Sequence, residues 1–311
     1  MKQIVIVLLG LLPILFCGVS GCDNDPPAPK YVTGHTIIIV VDGPRWSETW
    51  GNPQHTFIPN RDTAIRPHSR FYSFCYNDGE TVTNSGHTAI TTGVYETVEN
   101  SGQELPTLPG IFHYYRKFTG ALPEKTWVVA SKDKLNILAG SKDTTVLQYA
   151  PRFDCGVNGP GSGYRDDTTT CRVALDVLRN HQPDLMLINF KEPDASGHTG
   201  IWPLYISGVR SSDSLVYEIW KYVRNSPYYK SNTTIIITND HGRHNDGNQD
   251  GFRSHGDNCE GCKHIELLIA GPDVAPGVEQ KRVSQNDIAR TVATLMGFRM
   301  PTGDGKLLPL R

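Results

Sequence analysis

Residues 233–242 read T-T-I-I-I-T-N-D-H-G. An unbroken β-branched run of this kind suits the central strand of a parallel sheet, covered on both faces. In open α/β sheets, ligands bind beyond the carboxyl ends of the strands. Asp240 and His241 stand at such an end. They offer one hard oxygen and one imidazole nitrogen, the donor types of zinc or manganese. Asp-His pairs are common on surfaces, so one pair alone says little. Its weight comes from two other apolar runs in the chain that stop the same way.

The first is H-T-I-I-I-V-V at 35–41, followed at once by Asp42-Gly43. Asp-Gly also makes an ideal turn, so this aspartate alone would read as a turn residue. The second is D-L-M-L-I-N-F at 184–190, which runs into E-P-D-A-S-G-H at 192–198. If the backbone turns helically there, Asp194 and His198 share one face. A further strand is predicted at 126–131 and another at 265–270. Helices are predicted at 167–180, at 204–225 with Ile206, Val209, Val216, Ile219, Trp220 and Val223 inward, and at 287–296. Gly297 closes the last of these. Residues 45–80, 95–125 and 243–263 read as loops, the last holding His244, His255 and Asp257. The glycines at 151–166 follow no strand and match no nucleotide fingerprint. The fold class is α/β, a mostly parallel central sheet with helices on both faces.

With 311 residues the chain can bury the core of one large domain. Its net charge of -2, with mixed signs, leaves no nucleic-acid footprint, so no nucleic-acid partner is expected. Lys2 precedes an apolar run at 4–16, too short for an ordinary membrane span. V-S-G-C at 19–22 resembles the bacterial lipoprotein cleavage box. That likeness implies cleavage before Cys22, a lipid on its sulfur and an extracytoplasmic, membrane-anchored protein; ordinary signal cleavage is the alternative. The expected division is a signal peptide at 1–21, the lipidated cysteine with a Pro-rich tether at 22–34, and one catalytic domain at 35–311. An extracytoplasmic setting permits disulfides. Cys155 and Cys171 are the expected first bridge. Cys259-Glu-Gly-Cys262 reads as a second bridge or as half of a zinc knuckle, and the lack of another C-x-x-C disfavours the knuckle. Cys75 remains over.

A parallel sheet lines up its strand ends, so Asp42, Asp194 and Asp240 converge with His198, His241 and His255. Six such donors are too many for one tetrahedral ion and suit two. A pair of divalent ions clamps the attacking and leaving oxygens of phosphoryl transfer. T-N-S-G-H-T-A-I-T-T-G at 83–93 reads as a loop entering a helix from Thr88, where a helix N-terminus would favour an anion. Simple capping by Ser or Thr is the plainer explanation of those hydroxyls. A threonine hydroxyl is a poor nucleophile at neutral pH, and a metal is what Thr83 would need.

These pieces together resemble the alkaline phosphatase superfamily of two-metal hydrolases, nearest to the type I phosphodiesterase / nucleotide pyrophosphatase group. D-G-P-R at 42–45, the 83–93 segment, E-P-D-A-S-G-H-T-G at 192–200, N-D-H-G at 239–242 and S-H-G-D-N at 254–258 occur in that group's order. The resemblance implies a three-layer sandwich and a metal-activated Thr83 nucleophile that forms a covalent phospho-enzyme. One ion would take Asp42, Thr83, Asp240 and His241, and the other Asp194, His198 and His255, with His264 the rival to His255. The ions would be zinc, or manganese, and the substrate a small phosphoester. The group's usual Phe-Pro-Asn after the nucleophile is replaced by Asn84-Ser85-Gly86, which makes Ser85 a minor rival. Asn84 or Asn100 would hold the non-bridging oxygen. The alternatives are transfer of a phosphoryl or phosphoethanolamine group, a sulfatase or phosphonate hydrolase, and a non-catalytic metal-binding lipoprotein. No C-x-P-x-R or S-x-P-x-R supports a formylglycine sulfatase. His244 and His87 receive no role.

Overall fold

In the computed structural model, which describes residues 31–311, the strands are β1 (His35–Val41), β2 (Arg70–Tyr72), β3 (Cys75–Tyr76), β4 (Thr126–Ala130), β5 (Arg152–Cys155), β6 (Leu185–Phe190), β7 (Thr233–Asn239), β8 (His264–Ile265), β9 (Leu267–Ala270), β10 (Gly277–Glu279) and β11 (Val283–Ser284). The helices are α1 (Thr83–Thr92), α2 (Ile111–Thr119), α3 (Asp167–Asn180), α4 (Asp194–His198), α5 (Trp202–Asn225), α6 (Glu260–Lys263) and α7 (Asp287–Leu295). The main sheet runs β10-β2-β9-β7-β1-β6-β4-β5, and β11-β3-β8 form a smaller one. From β7 to β5 the pairings are parallel; β9 runs against its neighbours β7 and β2.

The β-branched runs explain the centre. Every residue of β1, β6 and β7 is buried, as strands covered on both faces must be. Alternation divides β1 between two cores. Ile38 and Val40 join Ile90 of α1, Phe112 of α2 and Val292 of α7. Ile37, Ile39 and Val41 join Ala174 of α3 and Val209 and Ile219 of α5. The result is a three-layer α/β sandwich.

Several boundaries differ from the sequence reading. Helix α1 begins at Thr83, five residues before the expected start. The 95–125 segment contains α2, bounded by Gly110 and Gly120. Residues 45–80 and 151–166 contribute the short strands β2, β3 and β5. The single strand expected at 265–270 is two, parted at Glu266, whose buried carboxylate meets Arg61 and Trp50 Nε1. The expected Cys155–Cys171 bridge is not formed: Cys155 packs in one core and Cys171 in the core across the sheet. Cys259 and Cys262 are also free thiols.

The leader, Cys22 and residues 23–30 of the tether lie outside the described residues. From Tyr31 the chain belongs to the folded unit. The backbone N–H groups of Val32 and Thr33 donate to the Asp273 carboxylate at 3.0 and 2.8 Å. No helix among the described residues is long and apolar enough to cross a membrane.

Candidate metal centre and nucleophile

Strand register builds the site. Val41 pairs with both Phe190 and Asn239, so β1, β6 and β7 end level with one another. Asp42 and Asp240 follow their strands directly. Asp194 arrives through a short turn, and its N–H donates to the Asp42 carbonyl at 3.1 Å. All three carboxylates are buried. The short helix α4 puts His198 on the same face as Asp194, as the four-residue spacing predicts.

Two donor groups result. Asp42, Asp240 and His241 bring one ligand atom each within 4.8 Å of one another. His241 Nδ1 lies 2.9 Å from the Gly242 carbonyl. That contact places the proton on Nδ1 and leaves the Nε2 lone pair for an ion. Nε2 and Asp240 Oδ2 are buried without hydrogen-bond partners, 3.4 Å apart. Unpartnered buried polar atoms are costly, and a shared cation would satisfy both. The second group is Asp194 Oδ1, His198 Nε2 and His255 Nε2, each 3.2 Å from the other two. Donors of a tetrahedral zinc with bonds of about 2.0–2.1 Å stand roughly 3.3 Å apart, so this triangle fits one face of such an ion. His255 Nδ1 is held by the Thr81 carbonyl at 2.7 Å, which again frees Nε2. His241 and His255 stack with centroids 3.8 Å apart, joining the two groups. His264 is elsewhere: its Nε2 meets the Ser73 carbonyl and its ring stacks on Trp46.

Thr83 opens α1 beside these groups. Gly86, one turn on, lets the helix rest on the end of β7; a Cβ there would stand 2.5 Å from the Asp240 carbonyl oxygen. His87 is buried behind the site, with Nδ1 2.9 Å from the Thr83 carbonyl and Nε2 3.2 Å from Asn189 Nδ2. Asn189 in turn donates to Asp42 Oδ2 at 3.2 Å. Ser85 Oγ donates to Glu80 at 2.8 Å, so the rival hydroxyl is engaged elsewhere. Asn84 is buried, and its Nδ2 donates to the Glu99 carbonyl at 2.8 Å. Asn100 Oδ1 accepts from the Asn84 N–H and from Lys134 Nζ; its own Nδ2 is the remaining donor.

Two site residues escaped the sequence reading. Lys132, just past β4, is buried and donates to Asp42 Oδ1 at 2.9 Å, Thr83 Oγ1 at 3.0 Å and Asp194 Oδ2 at 2.6 Å. Arg243, also buried, pairs with Asp194 Oδ1 and donates to the Phe252 and Arg253 carbonyls. A lysine after a strand and an arginine in a polar loop both read as surface residues. The usable signal was position, since β4 ends at the same sheet edge as the aspartates.

Three buried carboxylates thus face two buried cations. Burial, together with the Asp240 charge, pushes the Asp42 carboxyl well above its ordinary range, with Lys132 pulling the other way. Burial opposes ionisation of Asp194, but Lys132, His198, His255 and Arg243 outweigh it and hold that carboxyl well below the usual range. Burial drives the His241 imidazole down to about 3, so it is neutral at ordinary pH. The Lys132 ammonium, despite burial, is held above its usual range by Asp194, Asp42 and Asp240. Clustered carboxylates and a neutral His241 imidazole are what a divalent cation requires.

Residues 162–300 match the model of the Metalloenzyme superfamily. The 2,3-bisphosphoglycerate-independent phosphoglycerate mutase of Helicobacter pylori is 30% identical over 135 residues, 42% of this chain and 25% of the mutase. The chain spans about a quarter of the mutases it matches. The GPI ethanolamine phosphate transferase 2 of Schizosaccharomyces pombe is 23% identical, covering 98% of this chain and 42% of the transferase. A Vibrio parahaemolyticus protein of the alkaline phosphatase superfamily superposes with a TM-score of 0.62 at 15% identity, over 91% of this chain and 71% of that one. Residues 162–300 thus carry the sequence pattern of the Metalloenzyme superfamily, and the fold is that of alkaline phosphatase-like proteins.

Proposed function

We propose that the protein is a metal-dependent hydrolase of phosphoric esters with Thr83 as nucleophile. Asp42, Thr83, Asp240 and His241 would hold one divalent ion and Asp194, His198 and His255 a second, zinc in preference to manganese. Two such ions supply positive charge to the attacking and departing oxygens. Thr83 gives up its hydroxyl proton, and its Oγ1 bonds to phosphorus as the ester P–O bond breaks. The alcohol leaves with a proton. Water then displaces the threonine oxygen from phosphorus, and Thr83 regains a proton. Lys132 is no base for this step, because its neighbours hold its proton. Its charge beside Thr83 Oγ1 favours the alkoxide, and the N-terminal end of α1 adds to that field.

The observation that carries the reading is the meeting of Thr83 Oγ1 with Asp42 and Asp194 around one buried ammonium. Thr83→Ala should keep its ion content and lose turnover of aryl phosphodiesters, phosphomonoesters and phosphonates by roughly a thousandfold or more. Retained turnover by that variant rejects the assignment.

A second reading, transfer to an acceptor other than water, is favoured by the transferase relative that aligns over nearly the whole chain. Label arriving on an added alcohol rather than in phosphate would select it. The apolar leader and V-S-G-C support a lipid anchor on Cys22 and an extracytoplasmic domain. Labelled palmitate should enter the intact protein in bacterial cells and be absent from Cys22→Ala; equal labelling of the two removes the anchor.

A further inference from the structure

The loop between β7 and β8 carries a second kind of donor cluster. His244, Asp257, Cys259 and Cys262 each bring one ligand atom within 4.8 Å of the others. His244 is 2% exposed. Its Nδ1 lies 3.1 Å from Asp250 Oδ1, a carboxylate also held by Ser254 Oγ at 2.5 Å. A carboxylate on one ring nitrogen is the usual support for a metal-binding imidazole. The other nitrogen, Nε2, is buried without a hydrogen-bond partner and points to Asp257 Oδ2 at 3.3 Å. Cys262 is fully buried and both cysteines are free thiols. The missing second C-x-x-C is replaced by a histidine and an aspartate from the same loop.

The backbone is shaped for this knuckle. The N–H groups of Cys262 and Lys263 both reach the Cys259 carbonyl, at 3.2 and 3.1 Å. Gly261, inside C-E-G-C, sits where a Cβ would lie 2.4 Å from the Arg243 carbonyl oxygen. The Cys262 carbonyl accepts from the Gly242 N–H at 2.7 Å, next to His241. His255 falls between the donors in sequence.

We propose that His244, Asp257, Cys259 and Cys262 bind a third ion, a structural zinc that closes the 244–262 loop and positions His255. Two thiolates select zinc over manganese or magnesium. Four protein donors make a closed site with no position for substrate. Donors of such an ion stand roughly 3.3–3.8 Å apart, so shifts of about an ångström complete it. Binding sends the two thiol protons to solvent.

The site lies outside the Thr83 centre, so its test is independent of that reading. Full-length protein loaded with cobalt(II) should show a thiolate-to-cobalt charge-transfer band in the near ultraviolet. The band should persist in Asp42→Asn, whose ligand group contains no sulfur, and vanish in Cys259→Ser/Cys262→Ser together with one zinc per chain. Zinc-loaded wild type should resist trypsin at Arg253, and the zinc-loaded double cysteine variant, whose His255 ligand group is intact, should lose that resistance. A wild-type protein without the band, a double variant that keeps it, or a Cys259–Cys262 disulfide peptide in the unreduced digest overturns the proposal.

Discussion

The two candidate donor groups at the sheet edge are built differently. Asp42, Asp240 and His241 follow directly from β1 and β7, and all three are fully buried. Asp194, His198 and His255 hang on a five-residue helix and a long loop, and the His198 side chain is 48% exposed. Sheet register fixes the first group. The second is assembled by individual contacts: Arg243 on Asp194, and the Thr81 carbonyl on His255. A donor placed by a strand end cannot be replaced by a neighbour, whereas a half-exposed one leaves room for water.

Asp240→Asn should break this contrast most severely. Its Oδ1 contacts to the Gly43 and His241 N–H groups survive in shape, but the unpartnered Oδ2 becomes an amide. Activity should fall by more than roughly a hundredfold, beyond what an outer-shell partner costs, with loss of an ion by elemental analysis. His198→Ala should cost only about tenfold in ion affinity, because water reaches its position. Equal losses from the two variants would mean that burial does not separate the groups. The smallest effect concerns the fold alone. His113, on α2, is buried with both ring nitrogens unpartnered, and burial pushes it down to about 4. Its folded pKa is below the unfolded value near 6.5, so the unfolded chain binds more protons between those values. Stability therefore falls as pH drops through about 6.5 towards 4. His113→Phe should recover on the order of 1 kcal/mol at pH 5 relative to pH 7, read from urea melts.

What was legible follows the same divide. Isoleucine-rich runs that stop in aspartate showed β1, β6, β7 and the meeting of the carboxylates beyond them, because a strand buried on both faces has a composition of its own. The four-residue spacing gave His198. Lys132 and Arg243 were hidden, since nothing local distinguishes a buried cation from a surface one. Helix α1 was cut short because Asn84, Ser85 and Gly86 are poor helix formers; packing on Asp240 overrides them. The Cys155–Cys171 bridge failed because loop length says nothing of which side of a sheet each thiol faces.

The contact between Gly86 and the Asp240 carbonyl has an evolutionary corollary. It welds the helix bearing Thr83 to the strand bearing Asp240, so the two travel as one rigid body. If the proposed reaction holds, the 45–80 and 95–125 segments could change around this pair without moving Thr83 relative to Asp240.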